Sequence, residues 1–202
     1  MMRVLVTGFE PYGDYPENSS WEVAKEVACS TFYPGIEVVC VQLPVSFQRV
    51  ANGLYDALQK YHPDFILMLG QSGGSDKIKL ERIAINMMDA KMPDNDGYIP
   101  QEELISADSA NAWFTNVPVK SLCGAIAEQG IPVKISNSCG LYVCNRLYFE
   151  ALTLCQSAIQ SKALFVHLPY YEGQPSAKVG KPTVPLEVMV KAMQVIINQI
   201  NG

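Results

Sequence analysis

Apolar residues fall in two alternating patterns along the chain. Arg3 to Phe9, Ile36 to Leu43, Asp64 to Leu69, Val133 to Ser136 and Ala163 to Leu168 are short, nearly unbroken runs rich in Val, Ile, Leu and Phe. Such runs read as strands buried on both faces. Helical stripes lie between them. Ser19-x-x-Glu22 has the form of a capping box and predicts a helix from near Ser20 to about Cys29. Phe47, Val50, Leu54, Leu58 and Tyr61 recur at spacings of three and four, with Pro63 beyond the end. Pro118 opens a third expected helix that ends near Gly130. A fourth is expected from about Tyr142 to Ile159, and Leu186, Met189, Met193, Ile196 and Ile200 mark the buried face of the last.

The remaining segments are less regular. Ile78 to Asn86 reads as one strand with ambiguous alternation. Met92 to Gln101, with two prolines around Asp94, Asn95, Asp96 and Gly97, reads as a turn between extended pieces. Glu172 to Pro185 reads as a long loop. Strands alternating with helices predict an α/β sandwich around a mostly parallel sheet. No repeat, linker or low-complexity stretch divides residues 1–202, so a single domain is expected.

Composition narrows the function classes. The chain has 202 residues, 49% hydrophobic and 17% charged, which excludes intrinsic disorder. Fifteen Lys and Arg stand against twenty Asp and Glu, and no basic block appears, so no nucleic-acid partner is expected. No apolar run approaches the roughly 18 residues of a membrane span. The N-terminal Val4-Leu5-Val6 is too short for a signal-peptide core. These features predict a soluble, non-exported protein whose six cysteines are reduced thiols. Cys-x-x-Cys is absent and neither His62 nor His167 has metal-ligand spacing, so no metal site is expected.

In open α/β folds, sites lie beyond the carboxyl ends of the strands. That places Phe9, Glu10, Tyr12 and Gly13, then Gln71 with its neighbouring glycines, then Asn137 to Gly140, and finally His167 on the shortlist. The Gly70 to Gly74 loop is neither a dinucleotide fingerprint nor a P-loop, and reads most simply as a turn. Cys144 falls in the first turn of the fourth expected helix, where free N–H groups would lower a thiol from its usual value of about 8.5. Cys139, next to Gly140 in the turn, competes as the reactive thiol. If all the strands are parallel, Cys144 and His167 emerge on one edge of the sheet. A base at His167 would take the thiol proton and return it to a leaving amine. His62 precedes Pro63 at a helix end on the opposite edge and suits a surface or capping role. Glu81, in an apolar stretch, is a candidate for orienting the imidazole, with Lys79 or Arg82 as its alternative partners.

Five motifs then fall in order. Val6-Thr7-Gly8-Phe9-Glu10-Pro11-Tyr12-Gly13 resembles the N-terminal Thr-Gly-Phe-x-Pro-Phe-Gly signature of the pyroglutamyl peptidase I family, also called pyrrolidone carboxyl peptidases. Gly70-Gln71 with Glu81 to Asn86 resembles the family's glutamate motif, and Pro93-Asp94-Asn95 the segment after it. Ser136 to Asn145 is similar to its cysteine motif and Phe165 to Pro169 to its histidine motif. The resemblance spans essentially the whole chain. It implies a mixed α/β sandwich, a metal-free cysteine peptidase that removes N-terminal pyroglutamate from peptides, and a cytosolic homotetramer. It also implies Cys144 as nucleophile, His167 as general base and acid, and Glu81 as the orienting group. It favours Cys144 over Cys139, where the family commonly has a small residue.

A pocket for a flat, uncharged lactam needs apolar or aromatic walls and a few aimed polar groups. Phe9, Tyr12, Met92, Tyr142 and Val143 are the expected walls, and Gln71 the expected polar contact. Lys91 stands where many members carry an Arg associated with the oxyanion. Tyr12 and Tyr142 stand where many have Phe, and Ser75 where an Arg is frequent. Lys91 supports a second reading, a pyroglutamyl-peptide binder without efficient catalysis. The two tyrosines support a related amidase for another acyl group.

Overall fold

The computed structural model describes all residues except 14, 31–33, 176, 178–179 and 202. Its elements are β1 (Met2–Phe9), α1 (Ser19–Cys29), β2 (Ile36–Leu43), α2 (Val50–Tyr61), β3 (Phe65–Gln71), β4 (Ile78–Glu81), β5 (Ile83–Ile85), β6 (Ala112–Phe114), α3 (Val119–Glu128), β7 (Val133–Ser136), α4 (Val143–Ser157), β8 (Lys162–Leu168) and α5 (Leu186–Asn201). Six strands form the central sheet in the order β2-β1-β3-β8-β4-β7. β2, β1, β3 and β8 are mutually parallel. β4 runs antiparallel to β8, and β7 runs parallel to β4. The sheet is therefore mixed and mostly parallel, as expected.

Strand alternation divides the interior into two cores. Val4 and Val6 of β1, Phe65 and Leu67 of β3, Leu164 and Val166 of β8, and Ile78 and Leu80 of β4 face α1, α3 and α5. Leu5 and Phe9, Ile66 and Met68, and Ala163 and Phe165 face α2 and α4. This second face also carries Gly70, Lys79, Glu81 and His167, which have the same parity on their strands. Both faces are covered by helices, which is why the central strands lack polar alternation.

Several expectations change. Asn18, not Ser19, is the N-cap of α1: its side chain accepts a hydrogen bond from Ser20 N. The Ser19 N–H turns instead to Oε1 of Gln71. Phe47 precedes α2, in the turn that Ser46 and Arg49 close, although its ring reaches the same core. The single strand expected over Ile78 to Asn86 breaks at Arg82. There the backbone N–H bonds Ser136 O, and the carbonyl accepts from Thr115 N. β5 thereby leaves the main sheet and pairs antiparallel with β6. β6 has three residues, too few to show periodicity. His62 closes α2 as a left-handed C-cap (φ 44°), exposed and at the opposite edge from Gln71, as expected. Among the described residues no helix is long and apolar enough to cross a membrane.

Candidate active site

Registration of β3, β8 and β4 builds the floor of the site. His167 lies opposite Gly70 on one side and Lys79 on the other. Glu81, two residues along β4, pairs with Phe165 and so stands diagonal to His167 on the same face. His167 Nδ1–H donates to Glu81 Oε1 at 2.7 Å. Glu81 is 1% exposed and His167 8%. The Phe165 and His167 rings lie 4.9 Å apart and fix the imidazole from below. Tyr148 Oη donates to the Glu81 carbonyl at 3.0 Å and anchors the backbone that carries the carboxylate. Neither Lys79 nor Arg82 forms an ion pair with Glu81, so the buried carboxylate has the imidazole as its partner.

The thiol arrives by a different route from the one expected. β7 runs antiparallel to β8, so the two strands do not deliver Cys144 and His167 to a common carboxyl edge. Instead α4 must run back to feed β8 at Lys162, and its first turn therefore stands over the carboxyl ends of β3 and β8. Cys144 is the second residue of that helix. The N-cap, Tyr142, offers no side-chain cap, which leaves first-turn N–H groups available. Asn145 clamps the turn: its amide donates to Ile85 O and Met87 O, and its Oδ1 accepts from Ile85 N. Cys144 Sγ lies so near Gly70 that an added Cβ there would stand 3.1 Å from the sulfur.

The helix start does not lower this thiol. Burial pushes Cys144 up to about 12, the charge of Glu81 adds to the rise, and its own backbone N–H only partly offsets it. The lowered value expected from the helix position is overturned by desolvation. Burial pushes Cys139 well up too, and that residue packs inside the α2/α4 core.

Cys144 opens into a cavity of about 250 Å³. Phe9, Tyr12, Val45, Met92, Tyr142 and Val143 supply its walls, and Asn18 and Gln71 its polar groups. Tyr142 Oη donates to Pro93 O at 2.8 Å, which satisfies the hydroxyl. Gln71 Oε1 accepts from Ser19 N and from Gln174 Nε2, while Gln71 Nε2 is buried with the Tyr12 hydroxyl as its polar neighbour. Six of the seven expected pocket residues therefore come together. Lys91 does not: it is exposed and outside the lining, beside Met92 at the mouth. Asn18, Val45, Gln174 and Asn145 were not singled out from sequence. Asn18 and Asn145 carry a signal, a polar amide at a helix start; Val45 and Gln174 sit in loops without pattern. Among the described residues no cluster of His, Cys, Asp and Glu suits a metal ion.

An α/β sandwich holding a thiol, an imidazole bonded to a buried carboxylate, and an aromatic pocket has the organisation of a cysteine-type hydrolase. A family model described as pyroglutamyl peptidase matches residues 2–201, and the chain belongs to that family. The pyrrolidone-carboxylate peptidase of Thermococcus onnurineus is 40% identical over 197 residues, covering 97% of each chain. That of Streptococcus suis is 36% identical over 200 residues, 98% of this chain and 92% of its own. The crystal structure of pyrrolidone carboxyl peptidase from Fervidobacterium islandicum superposes with a TM-score of 0.94 at 34% identity, covering 100% of this chain and 99% of that one. Pyroglutamyl peptidase I of Bacillus amyloliquefaciens gives 0.91 at 33%, covering 96% and 94%. These comparisons give no support to the binder or altered-acyl readings.

Proposed function

We propose that this chain removes N-terminal pyroglutamate from peptides with Cys144 as nucleophile, His167 as general base and acid, and Glu81 as the group that holds the imidazole. The observation that carries the assignment is that Cys144 opens into the aromatic pocket with its Sγ against Gly70, the cross-strand neighbour of His167 in the His167–Glu81 pair. Phe9, Tyr12 and Tyr142 face the flat lactam ring. Gln71 Nε2, buried beside the Tyr12 hydroxyl, donates to the lactam carbonyl, an interaction that a prolyl residue, lacking that oxygen, cannot make.

The thiol is neutral in the free site, so its proton moves as attack begins. The proton passes to His167 Nε2 while Sγ bonds the exocyclic pyroglutamyl carbonyl carbon. The oxyanion accepts from the Cys144 backbone N–H in the uncapped first turn. The intermediate collapses, the C–N bond breaks, and the leaving nitrogen takes the proton from His167. Water, losing a proton to the same imidazole, then cleaves the thioester to release 5-oxoproline and restore the thiol. Glu81 holds Nδ1–H throughout, which keeps Nε2 free.

Release of a fluorescent amine from a pyroglutamyl amide, with and without iodoacetamide, tests this. Turnover is expected to vanish on alkylation and in Cys144→Ala, with the mass label on Cys144, while His62→Ala stays active. Full activity in Cys144→Ala would overturn the assignment. The family resemblance also supports a homotetramer in the cytosol; a monomeric mass by light scattering would exclude the tetramer.

A further inference from the structure

One charged group on the floor of the site has no part in this mechanism. Lys79 is the direct cross-strand neighbour of His167 in the antiparallel β4–β8 ladder. It shares a face with Glu81 and His167, because residues two apart on a strand point the same way. Directly opposed Cβ atoms in such a ladder lie roughly 4.5–5.5 Å apart. Lys79 is half-buried, and its Nζ donates to Ser72 Oγ at 2.9 Å. Ser72 is itself fixed by its backbone N–H, which bonds Leu168 O at 2.7 Å. Among the described residues no carboxylate forms an ion pair with Lys79, Glu81 included. A partly desolvated ammonium, held by one neutral hydroxyl beside the imidazole, is a site that favours an anion.

The position says which part of a substrate carries that anion. Pyroglutamate occupies the pocket on the Phe9, Tyr12 and Tyr142 side. The leaving nitrogen must come within hydrogen-bond reach of His167 Nε2, and the residue it belongs to then lies over the strands next to His167. A free α-carboxylate is two bonds from that nitrogen, so its oxygens lie on the order of 3 Å away. An acidic side chain on the same residue reaches slightly farther. The lysine stem, flexible and ending in a point charge, meets either without the fixed geometry that Arg would need.

We propose that Lys79, positioned by Ser72, is a specificity residue that receives a carboxylate on the residue following pyroglutamate. This rests on the peptidase reading above and adds to it a preference for an anionic leaving residue.

The test compares kcat/KM for pyroglutamyl-alanine, pyroglutamyl-alanine amide and pyroglutamyl-glutamate α-amide, in wild type, Lys79→Gln and Lys79→Arg. The wild type is expected to favour at least one carboxylate substrate over the neutral amide by about tenfold, the scale of one charge-assisted contact. The acid with a neutral side chain and the α-amide with an acidic one separate the two sources of carboxylate. Lys79→Gln is expected to bring the acid-to-amide ratio close to one, and Lys79→Arg to keep most of it. A wild-type ratio near one for both carboxylates, or an unchanged ratio in Lys79→Gln, overturns the assignment. Because the ratio is internal to each variant, a general loss of folded protein does not imitate the result. Wild-type turnover of a neutral pyroglutamyl coumarin amide reports separately on the peptidase reading. If that turnover stands while the ratio fails, only the role of Lys79 falls.

Discussion

Gly70 and Cys144 meet across the floor of the pocket with no room for a methyl group between them. A Cβ on Gly70 would lie 3.1 Å from Cys144 Sγ and 2.7 Å from the Phe165 ring. Phe165 is fully buried and packs against both Tyr148 and His167, so it has no direction in which to yield. Gly70→Ala is therefore expected to lower kcat/KM at least about tenfold by displacing the sulfur or the imidazole. Overpacking should also cost about 1–3 kcal/mol of stability. Thermal unfolding and steady-state kinetics on the same preparation check both; wild-type values in each would contradict the packing argument.

Glu81→Gln keeps the size of the side chain but removes the charge that holds Nδ1–H. The imidazole is then free to adopt the wrong tautomer. By analogy with other carboxylate–imidazole pairs, kcat should fall by roughly 10²–10⁴-fold with a much smaller change in KM. A loss confined to KM would instead assign Glu81 to substrate binding.

The state of the thiol gives a pH prediction. Burial raises Cys144 to about 12, so the free enzyme carries a neutral thiol at pH 7 and deprotonates it only at high pH. Alkylation of Cys144 by iodoacetamide, followed by mass spectrometry, should accelerate steadily with pH, with no plateau below about pH 10. A plateau near neutrality would reveal a thiolate–imidazolium pair already present before substrate arrives.

Away from the site, Asp96 is held down to about 2 by hydrogen bonds from Arg49 and then Ser46. A carboxyl depressed in the folded state stabilises the fold above its unfolded value, and that contribution is lost as pH falls through the folded one. The pair is exposed, so its effect is modest and salt-sensitive. Asp96→Asn should flatten the fall in melting temperature between about pH 4 and pH 2. An unaltered acid limb in that variant would remove Asp96 from the account.

Much of this was legible because the chemistry-bearing residues sit at the ends of apolar runs. The apolar run Ile36 to Leu43 coincides with β2 at both ends, and the pattern alone offers Glu81, Cys144 and His167 as candidates, with Cys139 still competing for the thiol. The break at Arg82 was not legible, since both halves of Ile78 to Asn86 are equally apolar and only backbone bonding to Ser136 and Thr115 separates them. Strand direction was equally hidden: a four-residue run such as Val133 to Ser136 is the same string either way round. At α1, Asn18 and Ser19 are both good caps, and the competing bond from Ser19 N to Gln71 decides between them. Val45 reaches the pocket wall, and Gln174 the Gln71 amide behind it, from loops, where position depends on the whole fold. Lys91 neighbours a wall residue in sequence, yet it is exposed and outside the lining.

The β4–β8 ladder has one more consequence. A slip of one residue in β4 would turn Glu81 into the core under α1 and α5 and leave Leu80 facing the imidazole. A chain can therefore be compact, helical and well packed elsewhere and still be catalytically silent if this one pairing is wrong. Active-site titration then counts correctly registered molecules, and turnover recovered during refolding becomes a clock for the pairing of these two strands.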